Sequence, residues 1–187
     1  MSAAGRPEGG AQSAPHASAS LSDDRSPLAL LPAVEAFYRH EVLLLQDRRY
    51  REWLETMEPQ VLYRVPVTTS TLEGLVTRDD ELGYYDEDLE LLKARVAKLE
   101  SKQSWVEQPP SRLRYFVQVV DAQHEGEAVR ARSNLLLLQY RWNMEQQFSG
   151  ERTDLLVPTE GGGFRLRERR VVLDRQVLGK QGLSVFF

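Results

Sequence analysis

The 187-residue chain contains no cysteine. That absence excludes disulfides, thiolate zinc sites, cysteine-ligated iron–sulfur clusters and a cysteine nucleophile. Histidine is almost as scarce, with only His16, His40 and His124. No two of them stand at i,i+4 or His-x-His spacing, so a metal face of two histidines and a carboxylate would need His40 and His124 to meet from distant segments. A protein-bound metal is not expected. Long apolar runs are missing too: the longest, Leu135 to Leu138 and Val42 to Leu45, fall far short of the roughly 20 residues of a membrane span. Net charge is −4, and the basic residues are interspersed with acidic ones, which argues against nucleic acid as a partner. A soluble protein of the reducing cytoplasm is the expectation.

What is present divides unevenly. Residues 1–26 are rich in Ala, Ser, Gly and Pro, with too little apolar surface to fold and no hydrophobic centre of a secretory signal, so they read as a disordered tail. Residues 27–187 are long enough to bury one core and read as a single α+β domain. From Pro27, Val34, Phe37, Tyr38, Val42 and Leu45 recur at helical spacing, with Pro32 tolerable in the first turn. Asp47 is a plausible N-cap for a second helix carrying Tyr50, Trp53, Leu54 and Met57 on one face and ended by Pro59. Val61 to Val67 reads as a short strand whose internal Pro66 suggests an edge or a bulge. Thr68 to Tyr85 is weakly patterned, a loop with one short element. Asp86 opens a third helix with Leu89, Leu92, Val96 and Leu99 as its apolar stripe.

Pro109 and Pro110 break the helical half from a half made of strands. Leu113, Tyr115, Val117 and Val119 then alternate with more polar neighbours to about Asp121, and a turn at His124 to Glu127 leads into a long return strand, Val129 to Trp142. Buried parity in that return strand is expected to change between Arg132 and Leu136, by a bulge or by burial on both faces. Further strands follow at about Glu145 to Val157 and Phe164 to Asp174, joined through Gly161, Gly162 and Gly163. Long antiparallel strands curling around N-terminal helices describe a cone-like half-barrel.

Chemistry-bearing constellations are few. Asp154 and Asp174 could serve as general bases if they faced into the cone, yet both read more simply as solvated acids near strand ends. His40 and Glu41 are adjacent on a helix and so point apart. The three glycines lack a following Lys-Ser/Thr and read as a hairpin turn rather than a phosphate loop. Arg165, Arg167 and Arg169 read as the outward face of a strand. Ser149 and Ser184 lack the Gly-x-Ser-x-Gly setting of a serine nucleophile. The closing Gly182 to Phe187 is the most informative stretch: its aromatic and aliphatic side chains must either fold back onto the core or fill a subunit interface. On the interface reading, deleting Val185 to Phe187 would weaken assembly more than it destabilises the isolated chain.

Several pieces together resemble the small (beta) subunits of bacterial aromatic-ring-hydroxylating dioxygenases, the Rieske non-haem iron oxygenases. They are Phe37-Tyr38 before the leucine run, Asp47-Arg48-Arg49-Tyr50 with Trp53, the Tyr63 to Pro66 strand, Trp105 to Arg112 with Arg114, Gly150 to Asp154 with Leu155, Arg169 to Asp174, and Leu183 to Phe187. The resemblance implies a cystatin-like, nuclear-transport-factor-2-like cone. It implies a non-catalytic structural subunit, modulating substrate preference in some members, in an alpha-three beta-three hexamer. No cofactor is expected in this chain, since the large (alpha) subunit would carry the Rieske [2Fe-2S] cluster and the mononuclear Fe(II). Electrons would reach it from NAD(P)H through a reductase and a ferredoxin, and arenes would become cis-dihydrodiols. Nothing is carried over to the tail or to Thr68–Tyr85, where the likeness stops. Trp105, Pro109, Pro110, Arg112, Arg114, Leu183, Val185, Phe186 and Phe187 are the candidate partner contacts, with ordinary strand-end solvation an equal alternative for the two arginines. The alternatives are a self-sufficient cone-fold dehydratase or isomerase, or a small-molecule-binding protein; the enzyme would need an open cavity with a converging acid–base pair.

Overall fold

The computed structural model describes residues 27–71, 74–77, 83–101, 109–175 and 184–187. The tail at 1–26, Trp105 and Leu183 lie outside the described residues.

Helix α1, Pro27–Gln46, carries Pro32 inside it, beyond the first turn expected for it, and buries Val34, Phe37, Tyr38, Leu44 and Leu45. Helix α2, Tyr50–Glu55, buries Tyr50 and Trp53 but starts from Arg49, not from a cap at Asp47. Pro59 does not end it. The chain is already extended in β1, Met57–Val65, and Pro66 follows that strand. The expected loop after it holds a hairpin, β2 (Thr68–Thr71) with β3 (Gly74–Thr77), and then β4, Tyr85–Glu87. Helix α3, Leu89–Glu100, is capped by Asp88, whose Oδ1 accepts from Leu91 N at 2.9 Å, two residues later than expected. Its stripe holds: Leu92 and Val96 are buried, with Leu89 and Leu99 packed against the core.

Four long strands follow, β5 (Arg112–Glu125), β6 (Ala128–Arg141), β7 (Met144–Pro158) and β8 (Phe164–Leu173). The six-stranded sheet runs β4-β1-β8-β7-β6-β5, antiparallel throughout except for the parallel pair β1–β8. So β1 is internal and the short β4 forms the edge. Gly126, at φ 64°, supplies the left-handed residue of the β5–β6 turn.

Parity in β6 does not change: Val129, Ala131, Ser133, Leu135, Leu137 and Gln139 are all buried. The irregularity sits in its partner, where the register slips between Val119 and Asp121 and the extra Val120 lies exposed. A second bulge places Arg167 without a partner, because Leu155 faces Glu168 and the next residue, Leu156, faces Leu166. That bulge reverses the facing of everything after it. Arg165 and Arg167 are exposed as expected, but Arg169 is turned into the core at 1% exposure.

Candidate functional site: an ionic cluster walled by aromatic side chains

The concave side of the sheet and the inner face of α1 enclose four charged residues. Glu41 lies on the helical stripe of Val34, Tyr38 and Leu45, so the helix that buries those residues buries it too. Arg152 and Asp154 alternate in phase with buried Phe148, Gly150 and Leu156 along β7. Arg169 arrives from β8 through the bulge. Glu41, Arg152, Asp154 and Arg169 are each at most 1% exposed.

Arg169 is the hub. Its Nε and Nη2 donate side-on to Asp154 Oδ1 (2.9 Å) and Oδ2 (2.7 Å), while Nη1 and Nη2 reach Glu41 Oε1 (2.6 Å) and Oε2 (3.1 Å). Arg152 Nη2 donates to Glu41 Oε2 at 2.7 Å and, more weakly, to Asp154 Oδ2 at 3.5 Å. Neutral donors complete the acceptors: Trp53 Nε1 to Glu41 at 3.1 Å, and Tyr38 OH to Asp154 at 2.9 Å. Formal charge cancels within the cluster. Such bidentate, charge-assisted pairs are the strong kind, and only mutual pairing makes buried charges tolerable.

Burial alone would raise the Glu41 carboxyl, but Arg169 and Arg152 outweigh it and hold the group at about 2. Burial pushes the Tyr63 hydroxyl up to about 12 and raises those of Tyr38, Tyr85 and Tyr115. Glu41 is therefore ionised, engaged at both oxygens and shielded from solvent. A general base needs a pKa near the working pH and reach to a substrate proton; Glu41 has neither.

The rest of the interior is filled. Trp53, Tyr63, Tyr85, Leu137, Leu156, Phe186 and Phe187 are all buried at 2% exposure or less. Of the two placements expected for the aromatic end, the structure shows the first. Val185, Phe186 and Phe187, candidate partner contacts in the sequence, lie in the chain's own core at 2, 1 and 0% exposure. Their large apolar surface is removed from water inside the cone. An open cleft of about 550 Å³ runs between α1 and β5, lined by Glu35, Tyr38, Arg39 and Val42 against Tyr115 and Val117 to Val119. The cluster carboxylates do not line it.

The remaining candidates are dispersed. Asp154, read as a solvated strand-end acid, is at 0% exposure, whereas Asp174 is exposed just past β8. His40 is exposed while Glu41 beside it is buried, and His124 is exposed at the far end of β5. Among the described residues no group of three His, Asp or Glu side chains could hold a metal, and the chain has no cysteine. The donor set of the described residues fits neither an iron–sulfur cluster nor a mononuclear iron. Gly161 to Gly163 form the hairpin turn, with Thr159 N donating to Gly163 O at 2.9 Å. At the hinge, Pro109, Pro110, Arg112 and Arg114 are exposed, and neither arginine forms an ion pair among the described residues. Ser111 anchors the hinge instead, its carbonyl accepting from Arg48 at 2.6 Å and its hydroxyl from Gln139 at 3.0 Å.

Residues 40–180 match the model of the ring hydroxylating beta subunit family. The chain belongs to that family. Curated relatives include the beta subunits of biphenyl 2,3-dioxygenase from Rhodococcus jostii (strain RHA1), 31% identical over 82% of this chain and 87% of the relative, and of benzene 1,2-dioxygenase from Pseudomonas putida, 34% identical over the same shares. A structure of naphthalene 1,2-dioxygenase with indole bound in the active site matches with a TM-score of 0.74, 26% identity and 86% of each chain. The beta subunit of benzoate 1,2-dioxygenase from Burkholderia mallei shares the fold, with a TM-score of 0.63, 19% identity, and 82% of this chain against 97% of that one. In a ring-hydroxylating beta subunit the catalytic centre is not expected among its own residues, because it lies in the alpha subunit with which the beta subunit pairs. The filled interior described above agrees with that division of labour.

Proposed function

We propose that this beta subunit is the structural partner of a large oxygenase subunit in an alpha-three beta-three complex that converts arenes to cis-dihydrodiols in the cytoplasm. The observation that carries the reading is the interior of the cone, where Glu41 and Asp154 pair with Arg152 and Arg169 and the remaining space is taken by aromatic and aliphatic side chains, including residues 185–187. The large subunit supplies the Rieske [2Fe-2S] cluster and the Fe(II), and a reductase and ferredoxin deliver electrons to it. This chain holds that assembly together.

Exposed apolar and hinge residues support a partner-facing end of the sheet. Trp142, at the tip of the β6–β7 hairpin, is 74% exposed, and Met144 beside it is 47% exposed. Register brings this tip next to the hinge, since Arg112 faces Tyr140 and Arg141 faces Met144. Pro109, Pro110, Arg112 and Arg114 therefore belong to the same end; Trp105 and Leu183, outside the described residues, are proposed as partner contacts from the sequence alone. A Trp rimmed by polar residues is the usual centre of a binding hot spot.

Purified alone, the chain should take up no iron and oxidise no arene, and adding it to its large subunit should restore turnover. Stoichiometric iron or arene oxidation by the chain alone would overturn the proposal.

A further inference from the structure

Val185, Phe186 and Phe187 belong to no helix or strand, yet their backbone is received at every position by a side chain. Tyr85 of β4 donates to Val185 O at 2.7 Å, and Tyr115 of β5 donates to Phe186 O at 2.8 Å. Tyr63 of β1 donates to Phe187 O and accepts from Phe187 N at 2.7 Å. Arg169 of β8 adds a donation to Phe187 O at 3.0 Å. Four strands thus aim donors at three consecutive carbonyls. A core segment ordinarily satisfies its backbone through a sheet ladder or a helix; here side-chain donors from four strands receive it instead, as a site built for a separate peptide would.

The side chains fit separate compartments. The Phe186 ring lies 4.4 Å from that of Trp53 and 5.7 Å from that of Tyr50. The Phe187 ring meets Phe148 edge-on at 5.4 Å and Tyr85 at 6.0 Å. The donors fix the register of a peptide in this space, and the two aromatic compartments fix which residues follow one another.

We propose that the cone interior is a peptide socket, a site for a short peptide with two successive aromatic residues, whose resident ligand is the chain's own segment 184–187. A free peptide of that sequence binds the same socket when the resident one is released. An occupant of the folded form raises stability by mass action, so the socket's affinity is readable as a melting temperature. This inference is independent of the oxygenase assignment and survives its failure.

The test uses the full chain with a site-specific protease sequence inserted between residues 175 and 184, folded first and cleaved afterwards. A fluorescein-labelled peptide with the sequence of residues 182–187 is then offered. The nicked chain should exchange its resident segment for the labelled one, and its melting temperature should rise with peptide concentration. Tyr115→Phe should weaken binding about fivefold, the value of one hydrogen bond, and Tyr63→Phe, which loses two, by about 25-fold. A scrambled peptide should not compete. Failure to take up the labelled peptide, equal binding of the scrambled one, or unfolding that excess peptide does not reverse would each overturn the socket. Phe186→Ala in the uncut chain reads the site separately: toluene should fill the Trp53–Tyr50 compartment and raise the melting temperature, and no rise counts against it.

Discussion

Arg169 carries the charge balance of the interior, engaging Asp154, Glu41 and the Phe187 carbonyl at once. Arg169→Met leaves two buried carboxylates facing only Arg152. Removing one partner of a buried pair costs about 3–5 kcal/mol, so urea unfolding of this variant should show a loss of that size. Glu41 adds a pH signature. Its folded pKa of about 2 lies below the ordinary 4.5, so its contribution is fully present above pH 4.5 and disappears as pH falls through 2. A shift of this size corresponds to about 3 kcal/mol. Stability measured between pH 5 and pH 2 should fall by about that much from this group, and Glu41→Gln should flatten the decline. A Glu41→Gln profile as steep as the parent's would show that the carboxylate is not held by the two arginines. Glu41, Arg152 and Asp154 each fall in phase with apolar neighbours of their own element, a signal of burial that the reading of Asp154 as a solvated strand-end acid passed over. Arg169 gave no such signal, because the bulge at Arg167 reverses its facing, and a bulge leaves no mark on the alternation that precedes it.

The strands owe their placement to close approach as much as to alternation. A Cβ on Gly150 would lie 2.3 Å from the carbonyl oxygen of Val172 and 3.0 Å from Leu173 Cα. No side chain can give way there, only the β8 backbone. Gly150→Ala should therefore destabilise the chain by about 2 kcal/mol or more, and Gly161→Ala, in open space, should be near neutral. Equal melting temperatures for the two variants would contradict the packing of β7 on β8. The helices and the four long strands were readable from periodicity and from the proline break. The start of β1 was misread, although Val61 to Val65 was read as a strand, because Pro59 sits inside it, at an irregular stretch where the register with β8 jumps from Met57 to Leu62. Proline excludes a regular ladder, not an interrupted one. The apolar end was read correctly as needing cover, but its destination was set by Tyr63, Tyr85 and Tyr115, residues up to 124 positions away. Phe187→Ala should consequently lower the stability of the isolated chain by about 3–5 kcal/mol, the reverse of an effect confined to assembly.

For the assembled complex, interior and surface residues separate by what their loss affects. Trp142 stands at φ 54° and is mostly exposed. A non-glycine residue there is strained, so Trp142→Gly should leave the isolated chain as stable as before or about 1 kcal/mol more stable. The same change should weaken binding of the large subunit, measured by titration calorimetry, at least tenfold, the loss of one hot-spot residue. Unchanged affinity would move the partner-facing surface elsewhere. The family was legible because scattered pieces such as Arg169 to Asp174 and Leu183 to Phe187 held their order. The reason the chain lacks chemistry was not legible, since it lies in how Glu41, Asp154 and two arginines neutralise one another in space. The most direct test of that claim is turnover per assembled complex carrying Asp154→Asn. If the cluster is structural, complexes of normal iron content should oxidise arene within about twofold of the parent rate while forming in lower yield. A correctly assembled, iron-replete complex that has lost turnover would place the cluster in the reaction and contradict the account.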